Sequence, residues 1–194
     1  MMPKTIQQAV RLVALLNLAY FGVEFEVALN IGSVSLFADS IDFLEDASVN
    51  LLILLALAWS ATARARVGMT LAGILLVPGL ATLWMAWHKI NMPIPPDALR
   101  LSVTGLGALA INVSCAFMLV RFKHHSGSLS HAAFLSARND AIANIAIIAA
   151  AVVTVFWRSG WPDLVVGLGI AGLNADAARA VFLAAKAEHV EAQA

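Results

Sequence analysis

Long apolar stretches recur along the chain and predict its secondary structure. The stretches that contain no Asp, Glu, Lys or Arg are 47–63, 67–88, 101–120 and 141–157. Since a membrane-spanning helix needs about 20 mostly apolar residues, these stretches indicate helices that cross a bilayer. Two shorter apolar stretches, 12–23 and 164–175, are also interpreted as parts of spans, because the sparse polar residues around them can face a bundle interior.

The pattern therefore predicts an all-α protein, a polytopic membrane bundle of six transmembrane helices. We expect one transmembrane domain over residues 1–194 and no soluble domain. The predicted helices cover residues 10–29, 34–58, 67–88, 99–121, 130–156 and 161–183. Tryptophans fall at the proposed helix ends, where their amphipathic rings favour the level of the lipid headgroups. These tryptophans are Trp59, Trp84, Trp87, Trp157 and Trp161.

Composition agrees with membrane insertion, and the distribution of charge orients the chain. Hydrophobic residues make up 61% of the sequence and charged residues only 12%, about half the share of a soluble domain. Twelve basic residues balance twelve acidic ones, which excludes a basic surface for nucleic acid. With both termini on one side, eight Lys and Arg residues lie there and three lie opposite. The positive-inside rule then predicts cytoplasmic termini, and we expect a plasma (inner) membrane protein surrounded by lipid.

The second predicted helix carries several carboxylates in an otherwise apolar sequence. Asp39, Asp42, Glu45 and Asp46 occur within eight residues, and each charge deep in a membrane helix costs about 2.5–3.5 kcal/mol. Asp39, Asp42, Asp46 and Asn50 are three or four residues apart and form one polar stripe. We expect Asp39 and Glu45 to be interfacial, near the start of the helix, and Asp42 and Asp46 to be functional.

The fifth predicted helix carries a second polar stripe. Ser136, Asp140 and Asn144 are spaced by four and share one face. The sequence D-A-S-V-N at 46–50 also matches D-A-I-A-N at 140–144. The two copies lie on the second and fifth helices, so they run in opposite directions, as in inverted repeats around a site at the membrane midplane.

Carboxylates on facing stripes would link metal binding to proton release. Like charges repel, so some of Asp42, Asp46 and Asp140 should be protonated without a cation. A divalent cation holds them ionised and displaces the protons. Oxygen ligands favour manganese, with iron or cobalt possible, and carboxylates also bind zinc. The expected cargo is thus a divalent metal cation, exchanged for protons, and no prosthetic group is expected.

Three segments resemble the cation diffusion facilitators, also called cation efflux proteins. They are NLAYFGVEFEVALNIGSVSLFADSIDFLEDA, SGSLSHAAFLSARNDAIANIAIIAAAVV and WPDLVVGLGIAGLNA. The resemblance implies a six-helix metal exporter that forms a homodimer. Its transport site pairs two residues four apart on the second helix with two on the fifth, which correspond here to Asp42 and Asp46, and to Ser136 and Asp140.

The chain departs from the family pattern at two places. Ser136 stands where the family commonly has His or Asp, so the fourth ligand is missing or is replaced by water, Asn139, Asn144 or Asn50. The cytoplasmic metal-binding domain that usually follows the sixth helix is expected to be absent.

Two other classes of function were weighed against transport. One alternative is a transport-silent partner or metal sensor that retains the fold. The features that support this alternative are Ser136 and the short C-terminal tail. An aspartate-dependent membrane enzyme would need a D-x-x-D-G-x-x-A-R core or a glycine-flanked pair of aspartates on separate helices, and neither occurs. We therefore expect no enzymatic activity.

Overall fold

The computed structural model describes the backbone of residues 5–56, 80–120 and 127–191, and in these ranges every regular element is an α-helix. The helices are α1 (Ile6–Ile31), α2 (Val34–Ala56), α3 (residues 80–91), α4 (Ala98–Val120), α5 (Gly127–Phe156) and α6 (Trp161–Glu191). The predicted all-α bundle is confirmed. Of the predicted third span, residues 67–79 lie outside the described residues.

Three described segments are long and apolar enough to cross a membrane, namely Ile6–Ile31, Ala98–Val120 and Asn139–Phe156. The helix α2 is long enough but carries four carboxylates. The described tryptophans near helix ends are 42–66% exposed, which agrees with contact to lipid rather than core packing. These are Trp84, Trp87, Trp157 and Trp161. The protein is an integral membrane bundle with apolar side chains on its outer surface.

A tight turn joins α1 to α2. Gly32 ends α1 in the left-handed conformation, with φ 63° and ψ 36°, and the backbone N–H of Ser33 donates to the carbonyl of Ala28 at 3.0 Å. Glycine is favoured here because a side chain would strain this conformation. The short turn makes α1 and α2 antiparallel neighbours in extensive contact.

The second helix is surrounded by other helices in the described part of the chain. It packs on α1, α5 and α6, while α4 packs on α1 and α5. The main core cluster is built from apolar side chains of α1, α2, α4, α5 and α6. Its buried members include Ala28, Leu36, Ile41, Leu101, Ile147 and Ile170. As a result, the acidic face of α2 is directed into protein instead of lipid.

Small residues of α4 permit close packing, as their sequence positions suggest. A side chain at Gly107 would collide with the ring and hydroxyl of Tyr20, whose hydroxyl donates to the carbonyl of Thr104 at 2.7 Å. At Gly105, an added Cβ would lie 3.3 Å from the side chain of Ile147. These glycines therefore bring α1 and α5 close to α4.

A buried ion pair joins three parts of the chain at the α1–α2 turn. The carboxylate of Asp163, at the start of α6, accepts the hydroxyl of Ser33 at 2.6 Å and the backbone N–H of Val34 at 2.9 Å. It also accepts the ammonium of Lys89 at 2.8 Å, and this ammonium donates to the carbonyl of Gly32 at 2.6 Å. Asp163 thus neutralises Lys89 and caps the N-terminus of α2.

We predict that Asp163→Ala lowers the free energy of unfolding by about 3–5 kcal/mol, since it leaves the buried Lys89 ammonium without its counter-charge. Asp97→Ala is the matched control, because the exposed Asp97 only caps α4 through the backbone N–H of Arg100 at 2.8 Å. The control should cost about 1 kcal/mol. Unfolding in detergent micelles measures both values, and an equal loss in the two variants would contradict the prediction.

Candidate metal-binding site

Two aspartates from different helices meet near the middle of the bundle. Asp46 lies near the midpoint of α2 and Asp140 near the midpoint of α5. Their carboxyl groups interact with each other, although the residues are far apart in sequence. Both side chains are partly exposed. The acidic side chains of α2 and α5 therefore interact across the two helices in the described structure.

Asp42 lies one turn before Asp46 on α2 and belongs to the same group. Its carboxyl interacts electrostatically with those of Asp140 and Asp46. Like Asp46 and Asp140, it is partly exposed. Three carboxyl groups that repel one another and are open to solvent can accept either protons or a cation.

Two asparagine side chains extend this group of oxygen atoms. The Nδ2 of Asn50 donates to the backbone carbonyl of Asp46 at 2.8 Å, and the Nδ2 of Asn144 donates to that of Asp140, also at 2.8 Å. Both Oδ1 atoms are buried and accept no hydrogen bond from the described residues. Each asparagine therefore has an amide oxygen free for a cation, which is a ligand type suited to hard metals.

Asn17 of α1 orients one of the aspartates. Its Nδ2 donates to Oδ2 of Asp46 at 3.4 Å, while its Oδ1 accepts the thiol of Cys115 at 3.9 Å. Asn17 is fully buried. Nothing in the local sequence around Asn17 indicates which carboxylate it contacts, since that partner lies on another helix.

The acidic stripe of α2 divides into two environments. Asp39 was expected to be interfacial, but this expectation is wrong, because its side chain is 0% exposed and lies beside the equally buried Glu24 of α1. The physical reason is the short α1–α2 turn, which covers this part of α2 with α1. Glu45 remains partly exposed.

Other predicted positions are only partly described. Ser136 lies in α5, but its side chain falls outside the described residues. Asn139 is exposed. Among the described side chains, no three acidic, His or Cys residues are already arranged as a complete metal site. The arrangement is therefore a set of neighbouring oxygen atoms rather than a closed coordination shell.

The family of the protein follows from comparison with known domains. The cation efflux transmembrane domain matches residues 10–187, which is most of the chain. The chain therefore belongs to the cation efflux family, as its segments suggested, and at that level it is a metal cation transport protein. No curated protein matches it.

We predict that cysteines at positions 46 and 140 become cross-linked. In a Cys115→Ala background, the double variant Asp46→Cys, Asp140→Cys should react with a short bifunctional thiol reagent to join α2 and α5, because these side chains interact across the two helices. Glu26→Cys combined with Asp140→Cys is the control, since Glu26 is exposed on α1. Proteolysis between the two helices, followed by electrophoresis, measures the joining. Equal cross-linking of both pairs would contradict the geometry.

Proposed function

We propose that the protein is a secondary transporter that exports a divalent metal cation from the cytoplasm in exchange for protons. Asp42, Asp46 and Asp140 are the proposed metal ligands. The observation that supports this most directly is the approach of the Asp46 and Asp140 carboxyl groups from separate helices in the middle of the bundle. Charged groups at such a depth are expensive and usually serve ion movement.

In this proposal, the amide oxygens of Asn50 and Asn144 complete the coordination shell of the metal ion. The free Oδ1 atoms of Asn50 and Asn144 lie one turn from Asp46 and Asp140, on the same helix faces. A shell made only of oxygen favours manganese, with iron, cobalt and zinc as further candidates.

Proton exchange follows from the chemistry of the same carboxyl groups. Without metal, mutual repulsion favours protonation of part of the group, and a bound cation reverses this preference. Apparent metal affinity should therefore fall as the pH is lowered, because protons compete for the ligands. One set of side chains thereby couples the two ions.

The same proposal places the protein in its membrane. The excess of Lys and Arg on the side of the termini supports cytoplasmic termini and a plasma (inner) membrane location. The α1–α2 turn and the Asp163 ion pair then lie on the non-cytoplasmic side. A homodimer is proposed from family membership.

The central test is metal flux in proteoliposomes under an imposed pH gradient, screened with zinc, manganese, iron, cobalt and cadmium. Asp46→Asn and Asp140→Asn should each abolish flux, because each removes one of three proposed charged ligands. Both variants should stay folded, since neutralising an acid in a membrane helix removes an insertion cost. Glu26→Gln, on the exposed face of α1, should transport at the parental rate.

The outcomes of this test separate the two functions considered. Parental flux in either aspartate variant would place the ion elsewhere. Absence of flux in the folded parental protein, together with metal binding or formation of hetero-oligomers, would identify a sensor or a transport-silent partner instead. Ser136, at a position where the family commonly has His or Asp, is the feature that favours this second function.

A second test identifies the fourth ligand. Asn144→Leu should weaken manganese binding by about tenfold or more, because the isosteric side chain lacks the ligand oxygen. Ser136→Ala should change it much less. Isothermal titration of the detergent-solubilised protein measures both affinities. A larger loss in Ser136→Ala would assign the fourth position to serine.

A further inference from the structure

Glu24 and Asp39 form a second acidic group, separate from the proposed metal ligands. Asp39 precedes Asp46 by seven residues, which is about 10 Å along α2 towards the α1–α2 turn. Glu24 reaches Asp39 from α1. Both side chains are 0% exposed, whereas Asp42, Asp46 and Asp140 are partly exposed. The pair is therefore enclosed by protein.

No described group donates a hydrogen bond to this pair. All four carboxyl oxygens are buried and without a donor among the described residues. The two carboxyl groups nevertheless interact with each other across α1 and α2. An ionised carboxylate only accepts, so two ionised groups cannot bond, but a protonated carboxyl can donate to an ionised one.

Neighbouring polar groups are already engaged. The hydroxyl of Tyr20, one turn before Glu24, donates to the carbonyl of Thr104 at 2.7 Å. The buried ammonium of Lys89 is held by Asp163 and by the carbonyl of Gly32. Leaving an ionised pair dry and without a partner would be very costly.

We propose that Glu24 holds a proton and donates it in a hydrogen bond to Asp39, so that the pair is a proton-binding site distinct from the metal ligands. One proton converts two acceptors into a donor and an acceptor and removes one of two buried charges. A hydrated metal ion is a poorer occupant, because both side chains are closed to solvent.

The groups that act on the pair decide how it responds to metal. Among the described side chains they are Tyr20 on α1, Asp42 on α2 and Asp140 on α5. None of these three groups carries a positive charge that would stabilise a second ionised carboxylate, so they favour retention of the proton by the Glu24–Asp39 pair. A divalent cation held by Asp42 and Asp140 would reverse this field and favour release of the proton.

This response rests on the proposed function, whereas the presence of the proton does not. In the proposed orientation, the pair lies between the metal ligands and the non-cytoplasmic turn. Protons that drive metal export would approach from that side. The pair is thus placed to take up a proton as metal leaves and to give it up as metal binds.

Infrared spectroscopy of the metal-free, detergent-solubilised protein tests the proton directly. Wild type should show a protonated carboxylic acid C=O band, of which one component disappears in Glu24→Gln. The same component should shift in frequency in Asp39→Asn, because the Glu24 proton then loses its carboxylate acceptor. Both variants should fold, because the new amide supplies the missing donor. Glu26→Gln should keep this component, because Glu26 is exposed on α1.

Two results would overturn the proposal. One is a wild-type spectrum with no carboxylic acid band, which needs no variant. The other is an unchanged band in folded Glu24→Gln and Asp39→Asn. Neither result depends on metal transport, so the proton site can fail while the proposed function stands, and the reverse also holds.

Proton release on metal binding tests the coupling. In weakly buffered solution, manganese added to saturation should release fewer protons per bound ion from Glu24→Gln than from wild type. Equal release at equal occupancy would overturn the coupling. A wild-type protein that binds no metal would count against the proposed function, and the infrared result would still decide the proton site.

Discussion

The cost of keeping four carboxylates on one membrane helix is the constraint on which this structure depends. At about 2.5–3.5 kcal/mol each, four charges facing lipid would cost roughly 10 kcal/mol or more, comparable with the whole stability of a typical domain. The helix α2 therefore lies against α1, α5 and α6. The turn at Gly32 and the hydrogen bonds of Asp163 hold α1 and α6 close to α2, while the glycines of α4 allow α1 and α5 to pack on α4.

Enclosure is uneven along α2, and this unevenness separates two kinds of chemistry. Near the turn, α1 covers Asp39 completely and brings Glu24 against it. Further along, Asp42 and Asp46 face Asp140 and remain partly exposed. A dry pair favours a shared proton, while an open group of oxygens can exchange a cation with water. Both the proton pair and the cation ligands occur on α2 because the packing of neighbouring helices against α2 changes along its length.

The D-A-x-x-N repeat has the same local geometry in both helices. Asn50 and Asn144 each donate from Nδ2 to the carbonyl of the aspartate four residues before, at 2.8 Å in both cases. Each Oδ1 is left without a donor among the described residues. The two halves of the proposed site are thus built alike, as an inverted repeat requires. Asn17 is the exception, since it supports Asp46 alone.

Local sequence determined the helices, their approximate ends and the polar faces, because hydrophobic length and a period of 3.6 residues are properties of each segment alone. It also identified Asp42, Asp46 and Asp140 as a group, through their spacing and their similarity to the cation efflux family. The partners of Glu24, Asn17 and Asp163 lie on other helices and were decided only by the tertiary structure. The burial of Asp39 was decided in the same way, because the exposure of a side chain depends on which helix covers it, and no spacing within α2 contains that information.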